Sequence, residues 1–426
     1  MSENVIKYIE NDILGEGYYS IDHKSGLRIY VYPKTDYAST YAVFGTKYGS
    51  IDTRFKRSDR SSFTEIPAGT AHFLEHKLFE SEELDAFQRY AATGASANAY
   101  TSFDRTCYLF TCTGHFKENL EILLDFVRHP YFTEETVRKE QGIIGQEIDM
   151  YKDSPEWECL FNLLAAMYHN HPVKIDIAGT KESIAQITAD MLFSCYETFY
   201  NLSNMALAVA GKATVEEVLE VADRLLTADE NVTVERAFEE EPEGIVKEYV
   251  EEKLPVATPV FTLGFKENFS DSGRSLKNEI GMSLLLDIIA GQISPLYKEL
   301  LDEGLINGTF GTEFFTGHSY YATLFSGESV APEKVAEKIK DRIAQLKDEG
   351  ITEEQFETVR KKQYGKTVRA LMDVDTIANS LIVSHFENEE LFEEFEVIKS
   401  IELDFVNSLL NKCFDNHKAV LSVVKN

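Results

Sequence analysis

Thiols are scarce in this sequence and badly spaced for either of their structural uses. The five cysteines (Cys107, Cys112, Cys159, Cys195 and Cys413) are odd in number and form no CxxC pair. That argues against a disulfide framework and a thiolate zinc site, and fits reduced thiols in a cytoplasmic protein. Basic residues are in short supply too, 42 against 72 acids, leaving a formal charge of −30. Nucleic acid and anionic membrane are polyanions, so this charge argues against both as partners. A solvated acidic surface accounts for it, although it would also attract basic peptides. Long hydrophobic runs are missing as well: no stretch approaches 18 apolar residues. The opening MSENVIKYIENDILGEG has early acids and no apolar run of signal-peptide length. The expectation is no membrane-spanning helix and no cleaved signal.

What is present suffices for real cores. Of 426 residues, 43% are hydrophobic and 12% aromatic, enough for two domains of ~200 residues each. GLRIYVYP, TYAVFGTKYG and NMALAVAG read as strands, and ANAYTSFDRTCYLFTC as a long strand or hairpin. FKENLEILLDFV repeats its apolar Phe116, Leu120, Leu123, Leu124 and Val127 at helical spacing. An acidic stretch with Pro and Gly, from Phe238 on, marks a linker over 238–247.

Beyond that stretch the pattern restarts. FTEETVRKEQ at 132–141 is echoed by ITEEQFETVRKKQ at 351–363, each with a capping Thr, two acids in the first turn and a later basic run. Thr133 and Thr352 are 219 residues apart, close to half of 426. The reading is a duplicated α+β unit, each copy a mixed or antiparallel sheet covered by helices. The expected division is 1–237 and 248–426, joined by the linker.

Chemistry concentrates in GTAHFLEHKLFE, residues 69–80. His72, Glu75 and His76 stand at i, i+3 and i+4, so they project from nearly one helical face. Histidines one turn apart can reach a single Zn²⁺, and a glutamate beside them can take a proton from a water there; this is the reversed form of HExxH. A chain of this composition would show H-x-x-[acid]-H by chance about 0.04 times. A solvated face gives no reason for flanking the triplet with Phe73, Leu74, Leu78 and Phe79, which imply a helix packed on its other sides.

Two imidazoles leave a catalytic zinc short of its usual third protein ligand. RKEQGIIGQEIDMYKDSPEW offers Glu140 and Glu147, seven apart and therefore on one helical face. Glu147 lies among Ile143, Ile144, Ile148 and Met150, where an unpaired carboxylate would be costly to bury and a metal would relieve it. Glu140, beside Arg138 and Lys139, is either a surface acid or an outer partner of the site.

These features resemble the pitrilysin and insulinase superfamily of zinc peptidases, the HxxEH inverzincins, which includes the mitochondrial processing peptidases. The similarity rests on His72-Phe-Leu-Glu75-His76 followed by two glutamates seven apart, and extends through EIDMYKDSPEW and HPVKIDIAGTKESI. It is strongest to half-length bacterial members, with two homologous domains per chain. The resemblance implies that His72, His76 and Glu147 bind one Zn²⁺ per chain, Glu75 is the general base and Glu140 assists. It also implies an edge strand in GASANAYTSFDRTCYLF, where Asn98, with Ser96, Ala97 and Ala99, holds the substrate backbone. The implied activity is a zinc endopeptidase cleaving peptides or unfolded segments bound as an added strand.

The second copy lacks HxxEH. Aligning the two TEE segments sets Lys366 opposite Glu147, or Arg369 if three residues are inserted. Its implied place is the non-catalytic wall of a chamber. Family members often supply from that domain an Arg and a Tyr, seven apart, for the oxyanion. Here SPLYKELLDEGLINGTF has Leu301 and then Asn307 or Gly308 at those positions. The expectation is a dimer, either a homodimer or a heterodimer whose homologous partner donates the pair; His318, Tyr320 and Tyr321 read as core or surface residues, with a substitute donor as the other reading. The alternative is a non-catalytic core or scaffold subunit of a heteromeric complex. His169 and His171, in MYHNHPVK, read as a polar loop before Pro172.

Overall fold

The computed structural model describes residues 3–82, 84–230, 232–269 and 275–426. The first half opens with strands β1 (Val5–Asn11), β2 (Glu16–Asp22), β3 (Arg28–Pro33) and β4 (Thr40–Thr46). Short strands β5 (Arg54–Arg57) and β6 (Thr64–Glu65) lead to helices α1 (Thr70–Leu78) and α2 (Ala86–Thr93). A hairpin, β7 (Ser96–Thr101) and β8 (Thr106–Cys112), precedes α3 (Phe116–Arg128), α4 (Glu134–Lys152) and α5 (Pro155–Met167). Then come α6 (Lys181–Ile184), α7 (Ala189–Phe199), β9 (Met205–Gly211), α8 (Val215–Leu225) and β10 (Val234–Arg236). The second half runs β11 (Tyr249–Lys253), β12 (Val260–Lys266), α9 (Leu276–Ala290), α10 (Pro295–Asp302), β13 (Gly311–Gly317) and β14 (Tyr320–Glu328). It ends with α11 (Pro332–Glu349), α12 (Glu353–Ala370), α13 (Val374–Glu387), α14 (Glu393–Ser400), α15 (Leu403–Lys412) and β15 (Ala419–Lys425).

Both halves build the same sheet. The first is ordered β1-β2-β3-β9-β4-β8-β7 and the second β11-β15-β12-β14-β13. In each, one pair is parallel (β3 with β9, β11 with β15) and the remaining neighbours are antiparallel. Stripped of its β1–β2 hairpin, the first sheet matches the second strand for strand. This is the α+β duplication expected from the two TEE helices. The central strands β4, β9 and β12 are buried at every residue, which is why they read as continuous runs without alternation. A third, small sheet pairs β10, β5 and β6.

Residue contacts divide the chain into two units, and these do not coincide with the two halves of the sequence. One comprises 1–146, 176–237 and 368–392; the other 147–175, 238–367 and 393–426. In the first unit α13 lies over β9 and β4; in the second α5 lies over β15 and β12. Each sheet is thus covered by a helix from the opposite half, an exchange that a division into continuous segments does not contain. A glycine in each central strand makes room for it. A Cβ on Gly45 would sit 3.1 Å from Ile382 Cγ2, and one on Gly264 would sit 2.8 Å from Met167 Cε.

The stretch read as a linker is pinned in the second unit. Glu241 accepts from the backbone N–H groups of His169 (2.8 Å), Asn170 (2.7 Å) and His171 (2.8 Å) and pairs with Lys266 at 2.6 Å. The MYHNHPVK loop is held from the other side too: His171, 1% exposed, accepts from Val173 N and donates from Nε2 to His318 O at 3.0 Å. Tyr320 and Tyr321 are buried in the same unit, and the Tyr321 carbonyl accepts from Tyr168 Oη. No single helix among the described residues is long and apolar enough to cross a membrane. Helices α9 and α10, bent by 42°, pass that test as a pair by length and composition, and α9 is largely buried.

One buried carboxyl in the second unit gives a pH prediction. Glu267 is 9% exposed, and its Oε1 accepts from Phe414 N and Thr323 Oγ1, both at 3.1 Å. Burial outweighs these bonds and pushes it up to about 7 from an ordinary 4.5. A carboxyl raised on folding contributes stability that is complete below the unfolded value and is lost as pH rises through the folded one. Glu267→Gln keeps an acceptor without the charge. The wild type should therefore lose on the order of 3 kcal/mol more than the variant between pH 4.5 and 8, read from urea unfolding. Parallel stability curves would refute this.

Candidate functional site

Helix α1 begins at a close backbone approach. Gly69 has φ +88° and Gly179 φ +75°. A Cβ on Gly69 would lie 2.4 Å from the Ala178 carbonyl oxygen, and one on Gly179 2.5 Å from that of Ala68. Only glycine combines that conformation with that proximity. Ser183 Oγ donates to Ala68 O at 2.8 Å, tying the two loops together. Along α1 the flanking residues fill the core as the sequence implies: Phe73, Leu74 and Leu78 are at most 1% exposed, and Phe79 is 8%. The helix lies against β7 and β8.

Helix α4 presents Glu140 and Glu147 on a stripe that adjoins its buried apolar one. Val137, Ile144 and Ile148 are buried, while Glu140 and Glu147 are half-buried. Gln141 Nε2 donates to Ile184 O at 3.2 Å and Ile187 O at 3.1 Å, fixing the helix against the 181–187 segment. The boundary between the contact units falls at 146/147, inside this uninterrupted helix, so Glu147 is placed by the same rod that carries Glu140.

On this frame His72, His76 and Glu147 come together, one ligand atom of each lying within 4.8 Å of the others. The two rings have centroids 4.6 Å apart. His76 Nδ1 lies 3.0 Å from Glu140 Oε1. A carboxylate only accepts, so Nδ1 carries a proton, and in the neutral ring this leaves the Nε2 lone pair for a metal. Burial, with the neighbouring imidazole second, lowers His72 to about 3, so it is neutral at pH 7, the form that binds metal. Two neutral imidazoles and one carboxylate are a donor set that fits a catalytic zinc.

Glu75, 8% exposed, sits one turn from His72 and next to His76, and Thr101 Oγ1 donates to its Oε2 at 2.7 Å. Strand β7 carries Ser96, Ala97, Asn98 and Ala99 and, among the described residues, has β8 as its single neighbour in the sheet. Asn98 Oδ1 accepts from Ala99 N at 2.9 Å. Leu301 is 46% exposed in the last turn of α10, and the Asn307 amide donates to Glu328 Oε2 at 2.5 Å. Sequence reasoning missed two hydroxyls: Thr101 on Glu75, and Tyr151, whose Oη donates to Glu147 Oε1 at 2.8 Å. The second was available from its i+4 spacing to Glu147.

Fold and site together define a zinc-protease-like chain of two homologous domains. This chain belongs to the insulinase (M16) peptidase family: residues 62–181 match the family described as "Insulinase (Peptidase family M16)", and 186–363 match "Peptidase M16 inactive domain". It is 41% identical over 414 residues to "Uncharacterized zinc protease YmfH" of Bacillus subtilis, covering 96% of both chains. Similarity also reaches a probable mitochondrial-processing peptidase subunit beta of Arabidopsis thaliana, 27% identical over 44% of this chain and 38% of that one. The crystal structure of an M16-like peptidase from Alicyclobacillus acidocaldarius superposes with a TM-score of 0.91 at 34% identity, covering 100% of this chain and 99% of that one. A protease from Helicobacter pylori shares the fold, with a TM-score of 0.83 at 18% identity over 96% of this chain and 100% of the other.

Proposed function

We propose that this chain is a zinc endopeptidase that hydrolyses peptides or unfolded segments. The observation that carries the reading is the convergence of His72, His76 and Glu147 beside Glu75. His72 and His76 would hold the ion as neutral imidazoles and Glu147 as a carboxylate. When bound, zinc supplies Lewis-acid polarisation of a carbonyl and a lowered pKa for water. Glu75 takes the proton at its carboxylate and returns it to the leaving amine, with Thr101 holding Oε2 in place. Glu140 orients His76. An extended substrate would add as a strand along residues 96–99 of β7, through main-chain hydrogen bonds that tolerate varied side chains. All five cysteines are free and buried, which supports action in the cytoplasm.

The exposed Leu301 and the engaged Asn307 favour dependence on a partner for the oxyanion donors, and thus a heterodimer with a homologous subunit. A scaffold subunit is the second reading. Purified chain with one equivalent of Zn²⁺ is incubated with a mixed peptide library, and the products are sequenced by mass spectrometry. Cleavage of internal bonds that stops on chelation supports the endopeptidase. Robust cleavage by the chain alone removes the need for a heterodimer. Silence from a zinc-loaded chain, with and without a homologous subunit, would leave the scaffold.

A further inference from the structure

We propose that Tyr151 is a positioning residue for the metal: its hydroxyl holds the Glu147 carboxylate in its ligating orientation. This rests on the metal-site reading above. Tyr151 lies one turn beyond Glu147 on α4, and its Oη donates to Oε1 at 2.8 Å. A glutamate side chain has several rotatable bonds that must be frozen to bind an ion. A carboxylate has about four lone-pair directions, so one taken by a phenol leaves others for the metal.

The phenol is itself held. Its ring stacks on Trp157, with centroids 4.8 Å apart and planes 20° from parallel. Trp157 is fixed by the start of α5, where Ser154 caps the helix by accepting from Trp157 N and Pro155 occupies the first turn. A tight helix-to-helix turn thus sets the indole, the indole sets the phenol and the phenol sets the carboxylate. His76 is oriented comparably by Glu140, so a residue from each of two turns of α4 steers a ligand.

The test uses Tyr151→Phe, which removes the hydroxyl and keeps the ring on Trp157. Full-length chain is stripped of metal, and Zn²⁺ affinity is measured at pH 7.5 by competition with a chromophoric chelator. Weak binders are followed by equilibrium dialysis. The expected loss is about 10- to 100-fold in affinity, the range for outer partners of metal ligands. The same substitution is also made in a Glu147→Ala background, where no carboxylate remains to be steered and affinity should not change further. Wild-type affinity in Tyr151→Phe, or an equal loss in both backgrounds, would overturn the inference while leaving the metal site standing. A wild-type chain that binds no zinc would overturn both.

Discussion

Glu75→Gln should leave the chain folded and loaded with zinc while slowing peptide cleavage by roughly 10²- to 10⁴-fold, the usual contribution of a positioned base. Glutamine matches the shape of a side chain that is 8% exposed, and its carbonyl can still accept from Thr101 Oγ1. It lies outside the group of His72, His76 and Glu147, so metal content has no reason to fall. What it lacks is a group that takes and returns a proton. Metal analysis and cleavage rate, measured on one preparation, decide the matter. Unchanged turnover would move the base elsewhere.

His72→Ala should fail in the other way, losing the metal and the activity together. It removes one of three donors and leaves one imidazole and one carboxylate, below the count at which protein sites hold zinc tightly. Bound zinc should fall from about one per chain to a small fraction of that after dialysis. Thermal melting gives a second readout. A ligand at 100 times its dissociation constant stabilises the native state by about 2.7 kcal/mol, so added zinc should raise the melting temperature of wild type and Glu75→Gln. It should do nothing for His72→Ala. A variant that keeps full zinc content would remove His72 from the ligand set.

Much of this was legible because local spacing and helical geometry act together. His72, Glu75 and His76 share a face by arithmetic alone, and Phe73, Leu74 and Leu78 announce which face is packed. Glu147 needed one further step, from an acid among apolar neighbours to a ligand, and that step was weaker than it looked, since Ile143 and Met150 are exposed and only Ile144 and Ile148 are buried. The duplication shows more plainly in three dimensions than in the TEE echo. Gly45 and Gly264, each in the central strand of its sheet, are separated by the same 219 residues as Thr133 and Thr352. A glycine in a buried strand marks close approach by another element, yet nothing in its neighbours says which. That is why the exchange of α5 and α13 was not visible: their apolar faces fit either sheet, and long-range packing alone selects one. The pinning of residues 241–244 escaped for the same reason, since an acid beside Pro and Gly reads as solvated until Lys266 and the amides of 169–171 are seen around it.

Trading helices between halves has a consequence for ancestry. Once each copy of the ancestral unit lent a helix to its sibling, loss of either would strip the cover from a central strand buried along its whole length. A copy without HxxEH is free to abandon chemistry yet cannot be discarded. The half without HxxEH persists as a structural creditor of the half that carries it.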